Sequence, residues 1–285
     1  MNNPKVRDSR STADIVKEAY TENDEDKYWK LISTLHRRGG RTEFSVAEEL
    51  ILSADPINRE MGADILGRLG WEKRSFHSES ISLLIKLLSD SVNDVISSAA
   101  FSLGHRHAIE AVQELLKLID HPNDRVRFGV ALGLSCLEDE SAIKGLIILS
   151  RDSDFDVRNW ATFGLGSQCD MDTDILRRAL KDRLDDPEPE IRGEALIGLA
   201  ERKDDSVIGE VLRDLAGEFQ GGWVIEAAEI YPHNKYIPLL STLIDRVSDE
   251  NKEYFSKQIK SALLACKAQK DDPVVVHTNQ TGEQV

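Results

Sequence analysis

Three arginines hold the same place in a recurring phrase: Arg127 in Asp124-Arg125-Val126-Arg127, Arg158 in Asp156-Val157-Arg158-Asn159-Trp160-Ala161, and Arg192 in Glu190-Ile191-Arg192-Gly193-Glu194-Ala195. They stand 31 and 34 residues apart. Planar guanidinium groups at a constant spacing could form a ladder that grips carboxylates or phosphates in bidentate fashion. The alternative use is internal, with each arginine bonded to the acid two residues before it or to a neighbouring repeat. The internal reading is favoured, because an isolated exposed ion pair contributes little and a repeated network contributes more. Arg127 stands apart only through Arg125 and Phe128 beside it.

The other residue groups with chemical potential are weaker. Asp152, Asp154 and Asp156 place three carboxylates at alternate positions, but the glycine and distant glutamate of an EF-hand loop are missing. His105-Arg106-His107 reads as a turn, since two histidines one residue apart need further ligands to hold a metal. Cys136, Cys169 and Cys266 have no CxxC spacing and read as small core residues. No carboxylates, histidines or nucleophiles converge on one face, so no catalytic residue, metal site or cofactor is assigned.

The elements that carry these residues follow from the period, which lies in the range of helical repeat arrays. A weaker copy sits upstream at Asp94-Val95-Ile96 before Ala99 and Leu103-Gly104, and Arg59, Gly62, Leu66 and Gly67 keep the same spacing. Amphipathic segments pair at 44–53 with 57–69, 79–89 with 94–104, 108–119 with 124–136, 141–150 with 155–167, 173–184 with 189–201, 205–218 with 223–231, and 235–247 with 251–268. Asp55-Pro56, His121-Pro122 and Asp186-Pro187 mark joints, where proline suits a first helical turn and a carboxylate suits the positive end of a helix. The expected fold is all-α, a right-handed α-α superhelix of about seven helical pairs. Residues 1–10 are expected to be disordered, 11–268 to form a single solenoid with capping helices over 11–43, and 269–285 to be a disordered tail.

Composition narrows the partner. With 51 acidic and 36 basic residues the net charge is −15, which counts against a nucleic-acid backbone as principal ligand and points to a basic protein. Residues 138–190 alone carry 14 acids and 7 bases, enough to line the loop ridges with negative charge. Residues 27–41 have the opposite sign, with Lys27, Lys30, Arg37, Arg38 and Arg41, and Gly39-Gly40 reads as a helix stop. The N-terminus has no apolar leader, and no apolar run approaches the roughly 20 residues of a membrane helix. A cytoplasmic protein is expected, with a protein partner rather than a membrane, a nucleic acid or a small molecule.

A helical projection from Val157 places Ala161, Gly164 and Leu165 on one buried face, against the first helix of the pair. Trp160 and Phe163, with equivalents Phe101, Leu132 and Ile197, fall on a second apolar flank and read as inter-repeat core; a stacking platform is the competing use of Trp160. Asn159, Thr162 and Gly166 are left for solvent, a small and nearly neutral concave row. The expected contacts are therefore Phe128, Asn159 and Thr162, with Arg127 and Arg158 as polar anchors and Asp154 and Glu188 as rim charges.

The Asp-x-Val-Arg-x-x-Ala-x-x-x-Leu-Gly pattern resembles HEAT repeats of the short bacterial kind known from phycobilisome lyases, over about residues 44–268 and most strongly over 120–205. Asp156 to Arg202 is similar to YibA-like bacterial HEAT proteins, a group linked to the gene neighbourhoods of Rhs-type toxins. The resemblance implies a protein-binding scaffold or adaptor, with an immunity-type toxin inhibitor as one version. Its alternatives are an enzyme of the bilin lyase type and a nucleic-acid-processing HEAT protein. HEAT-fold hydroxylases use His-Glu pairs for iron, and no His-Glu dipeptide occurs in this chain.

Overall fold

The computed structural model describes residues 8–217, 221–247 and 249–269. Among them lie sixteen α-helices, three short 3-10 turns and no strand. The chain divides into two compact units, Met1–Ala195 and Leu196–Val285.

The first unit opens with α1 (Thr12–Thr21) and α2 (Glu25–Arg38). Helical pairs follow: α3 (Arg41–Ile51) with α4 (Pro56–Gly67), α5 (His77–Leu87) with α6 (Asn93–His105), α7 (Val112–Leu116) with α8 (Asp124–Ser135), and α9 (Glu140–Leu149) with α10 (Phe155–Gly166). Next come α11 (Asp174–Arg183) and α12 (Pro189–Glu201), which crosses into the second unit. The expected segments fall on observed helices. The largest difference is at 108–119, where a 3-10 turn over Ile109–Ala111 leaves only a short α7. Of the stretch expected to be disordered, residues 1–7 lie outside the described residues; the carbonyls of Asp8 and Arg10 both accept from the Arg38 guanidinium, at 3.0 and 2.6 Å. Residues 270–285 of the expected tail also lie outside the described residues.

Local chemistry sets the helix ends. Asp55, Asn123, Asp139, Asp154 and Thr173 each accept from a first-turn N–H, and Pro56 occupies a first-turn position. Helix α2 stops at Gly39, whose φ of 55° is left-handed and whose N–H reaches the Leu35 carbonyl.

The second helices, α4, α6, α8 and α10, lie side by side and touch through their smallest residues. A Cβ on Gly129 would sit 2.6 Å from the Ser97 carbonyl oxygen, and one on Gly133 would sit 2.5 Å from that of Ala100. Ser97 donates to the Arg125 carbonyl and Ser102 to that of Ala63, both at 2.9 Å. This corrects the projection: Thr162 and Gly166 are buried rather than left for solvent, and at the matching positions of α6 and α8 Ser97, Ala100, Gly104 and Ser135 pack against the next second helix. Phe101, Trp160 and Phe163 reach the surface instead, Trp160 with 36% of its area exposed. Close backbone approach needs small side chains, and the bulky residues are displaced to the open flank.

A second device ties repeats together at three joints among the described residues, and is missing at α6, where Ile96 holds the arginine position. The Arg127 guanidinium grips Asp152 with two bonds of 2.6 and 2.8 Å, and Arg59 grips Asp90 at 2.7 and 2.8 Å. Arg158 meets Asp186 at 3.3 Å. In each case one Nη also donates to the loop just before its own helix: Ser53 and Ala54 for Arg59, His121 and Pro122 for Arg127, Asp152 and Ser153 for Arg158. Arg192 repeats this last feature with Asp186 and Pro187.

In the second unit, α13 (Ser206–Ala216), α14 (Trp223–Ile230), α15 (Ile237–Arg246) and α16 (Asp249–Ala268) enclose an aliphatic core of Val207, Val211, Leu215, Ile225, Leu240, Leu243 and Ile259. Arg246 donates to the Leu215 carbonyl at 2.5 Å, and Ser261 to Glu229 at 2.6 Å.

Candidate functional site: a groove across the second helices

The open flank of α4, α6 and α8, closed on one side by α2, forms a groove of about 770 Å³ within the first unit. Helix periodicity places its residues in three bands. At one end stand the carboxylates Glu25, Glu60 and Asp94, with Arg125. Across the middle lie Tyr28, Trp29, Ser98, Phe101, Phe128 and Leu132. At the other end are His36, Arg68 and His105. Glu60 and Asp64 stand on successive turns of α4 and Arg68 is the residue that caps its C-terminal end, so one helix carries an acidic face and a basic end.

Asp64 is the most constrained member. It is 8% exposed, its Oδ2 accepts from the Tyr28 hydroxyl at 2.6 Å, and its Oδ1 accepts from Ser98. Burial pushes its pKa up to about 7, against the lowering effect of Ser98 and Tyr28. Burial also raises the Glu60 carboxyl, helped by Asp94. The His36 Nε2–H donates to the Asp64 carbonyl at 2.9 Å, and burial holds that ring neutral with a pKa of about 4. His105 lies tilted against Phe101 with centroids 4.2 Å apart and accepts from Arg68 at 3.2 Å through Nδ1; burial, with Arg68 beside it, lowers its pKa to about 3. Arg125 pairs with Asp94 at 2.5 Å. Arg68 also lies over Trp71, 5.7 Å from its ring centroid.

Beyond the groove the aromatic band continues: Phe128 meets Trp160 edge-on at 6.3 Å, and Trp160 meets Phe163 at 5.4 Å. Trp160 is thus an open aromatic surface, where the sequence favoured core.

The expected contact residues separate. Phe128 lines the groove. Asn159 is half-buried, one turn before Phe163, and its Oδ1 is buried without a hydrogen-bond partner. Thr162 is fully buried and its hydroxyl donates to the Arg158 carbonyl at 2.8 Å, so it offers nothing to a partner. The guanidinium groups of Arg127 and Arg158 are held in the inter-repeat ladder, and both side chains are 13% exposed. Asp154 caps α10 by accepting from the Val157 N–H at 3.0 Å, and Glu188 remains half-exposed on its loop. Arg106 and His107 form the turn expected after α6, but His105 ends that helix in the groove and Arg106 is fully buried.

Sequence reasoning missed Tyr28, Trp29, Glu60, Asp64 and Arg68. The signal was present in the four-residue spacing of Glu60, Asp64 and Arg68 along one face, and in an adjacent Tyr-Trp pair on a helix read as a cap.

Stacked helical pairs with a small-residue seam, a repeated arginine clamp and an open inner groove define a class, and a model of HEAT repeats matches residues 81–166. Over that stretch the chain resembles HEAT-repeat proteins. It is similar to protein YibA of Escherichia coli strain K12, with 29% identity over 221 residues that cover 75% of this chain and 79% of that one. The X-ray structure of E. coli YibA superposes with a TM-score of 0.65 at 25% identity, over 90% of this chain and 96% of that one. An engineered protein superposes with a TM-score of 0.52 at 16% identity, over 90% of this chain and 79% of that one, a likeness of fold alone.

Proposed function

We propose that this chain is a non-enzymatic, protein-binding HEAT module that seats a segment of another protein in the groove of its first unit. The observation that carries the reading is the aromatic band from Trp29 through Phe101 and Phe128, each half-buried, to the exposed Trp160, on helices held in close contact with one another. Aromatic side chains in a preformed concavity are the usual anchors of protein interfaces. The acidic loop residues, Asp154 and Glu188 among them, add a negative field that speeds encounter with a basic partner. An immunity-type inhibitor that covers a toxin is one concrete version, in keeping with the likeness to YibA. No helix among the described residues is long and apolar enough to cross a membrane. A cytoplasmic site of action is part of the same proposal.

The test is affinity capture from native-host lysate with the wild-type chain and with Phe128→Asp as baits, read by mass spectrometry. One stoichiometric basic protein retained by the wild type and lost by the variant is the expected result. An identical set of proteins on both baits would overturn the reading.

A further inference from the structure

The groove is not neutral in its demands. Glu60 and Asp64 face it from adjacent turns of α4, and neither has a basic side chain within salt-bridge distance among the described residues. The nearest guanidinium, Arg125, is committed to Asp94. Arg68 belongs to the opposite end, against His105 and Trp71. Asp64 is fixed by Tyr28 and Ser98, which use two of about four acceptor positions on its oxygens. Two buried or half-buried carboxylates with free acceptor sites therefore look into a cavity walled by Tyr28, Trp29 and Phe101. Burial raises both carboxyl groups, the cost of carboxylates that lack a counter-charge.

We infer that the groove recognises an arginine side chain on the partner polypeptide, its guanidinium set against Glu60 and Asp64 and its plane against the face of Trp29, which meets the Tyr28 ring edge-on. The inference rests on the binding-module reading and specifies its chemistry. Arginine fits better than lysine, because its donors lie in a plane that can span two carboxylates one helical turn apart while its face stacks on aromatic rings. A lysine ammonium can do only one of these at a time. The positive end at Arg68 gives the segment a direction, since a second cation there would be repelled.

The probe is a blocked tetra-arginine peptide titrated calorimetrically into the full chain at about physiological salt, with tetra-lysine and tetra-glutamate peptides alongside. The expected order is arginine tighter than lysine, and no binding of glutamate. Glu60→Gln and Asp64→Asn are each expected to weaken tetra-arginine by about tenfold or more, as fits loss of a hydrogen bond to a charged group. Asp170→Asn and Asp185→Asn, which remove the same charge from exposed loop positions, are expected to change it less than about twofold. Glu60 is only half-buried, so Glu60→Gln keeps the test open if Asp64→Asn unfolds. Equal weakening by groove and loop variants, or no tetra-arginine binding, would overturn the inference. A captured partner that is lost with Phe128→Asp yet kept by Glu60→Gln would also overturn it, leaving the binding-module reading intact. Loss with neither variant would remove that reading as well.

Discussion

Asp64 and His36 touch through the Asp64 carbonyl, yet they respond to pH in opposite senses. Asp64 has its pKa raised to about 7 by burial, so the folded protein holds that proton more tightly than the unfolded chain. Its contribution to stability is present below about pH 4 and is lost as pH rises through 7. His36, lowered to about 4 by burial, contributes stability above about 6.5 that is lost as pH falls towards 4; His105 acts in the same sense. Asp64→Asn removes only the opposing member. An asparagine can still accept from Tyr28 and can donate to Ser98. The variant is therefore expected to show a rise of stability with pH between about 4.5 and 6.5 that is steeper than wild type by about 1.4 kcal/mol per pH unit, and no further gain above about pH 7. Urea unfolding at a series of pH values measures this directly. Arg106 is the other residue whose surroundings decide its role. Its Nε donates to the Leu66 carbonyl at 2.6 Å and its Nη1 to that of Ser75 at 3.2 Å, while burial lowers its pKa to about 10. Arg106→Ala strands both carbonyls and opens a cavity, with an expected cost of about 3 kcal/mol in chemical denaturation. None of this was legible in His105-Arg106-His107 as a string, because burial of a charged side chain depends on a loop some 30 residues earlier.

Among the helices, glycine has two meanings that the structure separates. A methyl group on Gly133 would press on the Ala100 carbonyl, a backbone atom that cannot step aside. Gly133→Ala is expected to destabilise by about 1–3 kcal/mol through overpacking, although alanine is the better helix former. Gly209 in α13 has nothing within 4 Å of such a methyl group, and Gly209→Ala is expected to stabilise by up to about 1 kcal/mol. Thermal unfolding of the two variants compares them on one scale. The arginine clamp makes a parallel case: Arg127→Ala leaves Asp152 with no guanidinium in a site where its side chain is 9% exposed. The expected loss is about 3 kcal/mol, and a double-mutant cycle with Asp152→Asn should show a coupling well above that of an exposed pair. Helix positions were largely legible, since periodicity, Asp-Pro joints and caps agree along the chain. Which flank of α10 faces its neighbour was not legible. Small residues border that helix on one side and aromatic residues on the other, and apolar periodicity assigns burial to Phe163 and solvent to Thr162, the reverse of the observed packing. Only the distance between backbones decides that the small row is the seam and the aromatic row is the open side.

For the molecule as a whole, the net charge of −15 is a statement about encounter rather than fold. The association rate with a basic partner is expected to fall about tenfold or more as salt rises from about 0.05 to 0.5 M, with a smaller change in dissociation, in stopped-flow or surface-binding kinetics. The repeat class was legible from the recurring phrase alone. The division at Ala195 was not, because the repeat pattern runs through it and α12 continues across without a Pro- or Gly-rich linker. The seam of α4, α6, α8 and α10 carries one more implication. Where backbone touches backbone, the interval from one row of groove residues to the next is set by atoms that every amino acid shares. The groove is in effect a pegboard whose holes are drilled in the main chain. Pegs such as Phe101, Phe128 or Trp160 can be exchanged without moving the holes, so chains of this kind can change what they hold while keeping the same lattice of positions.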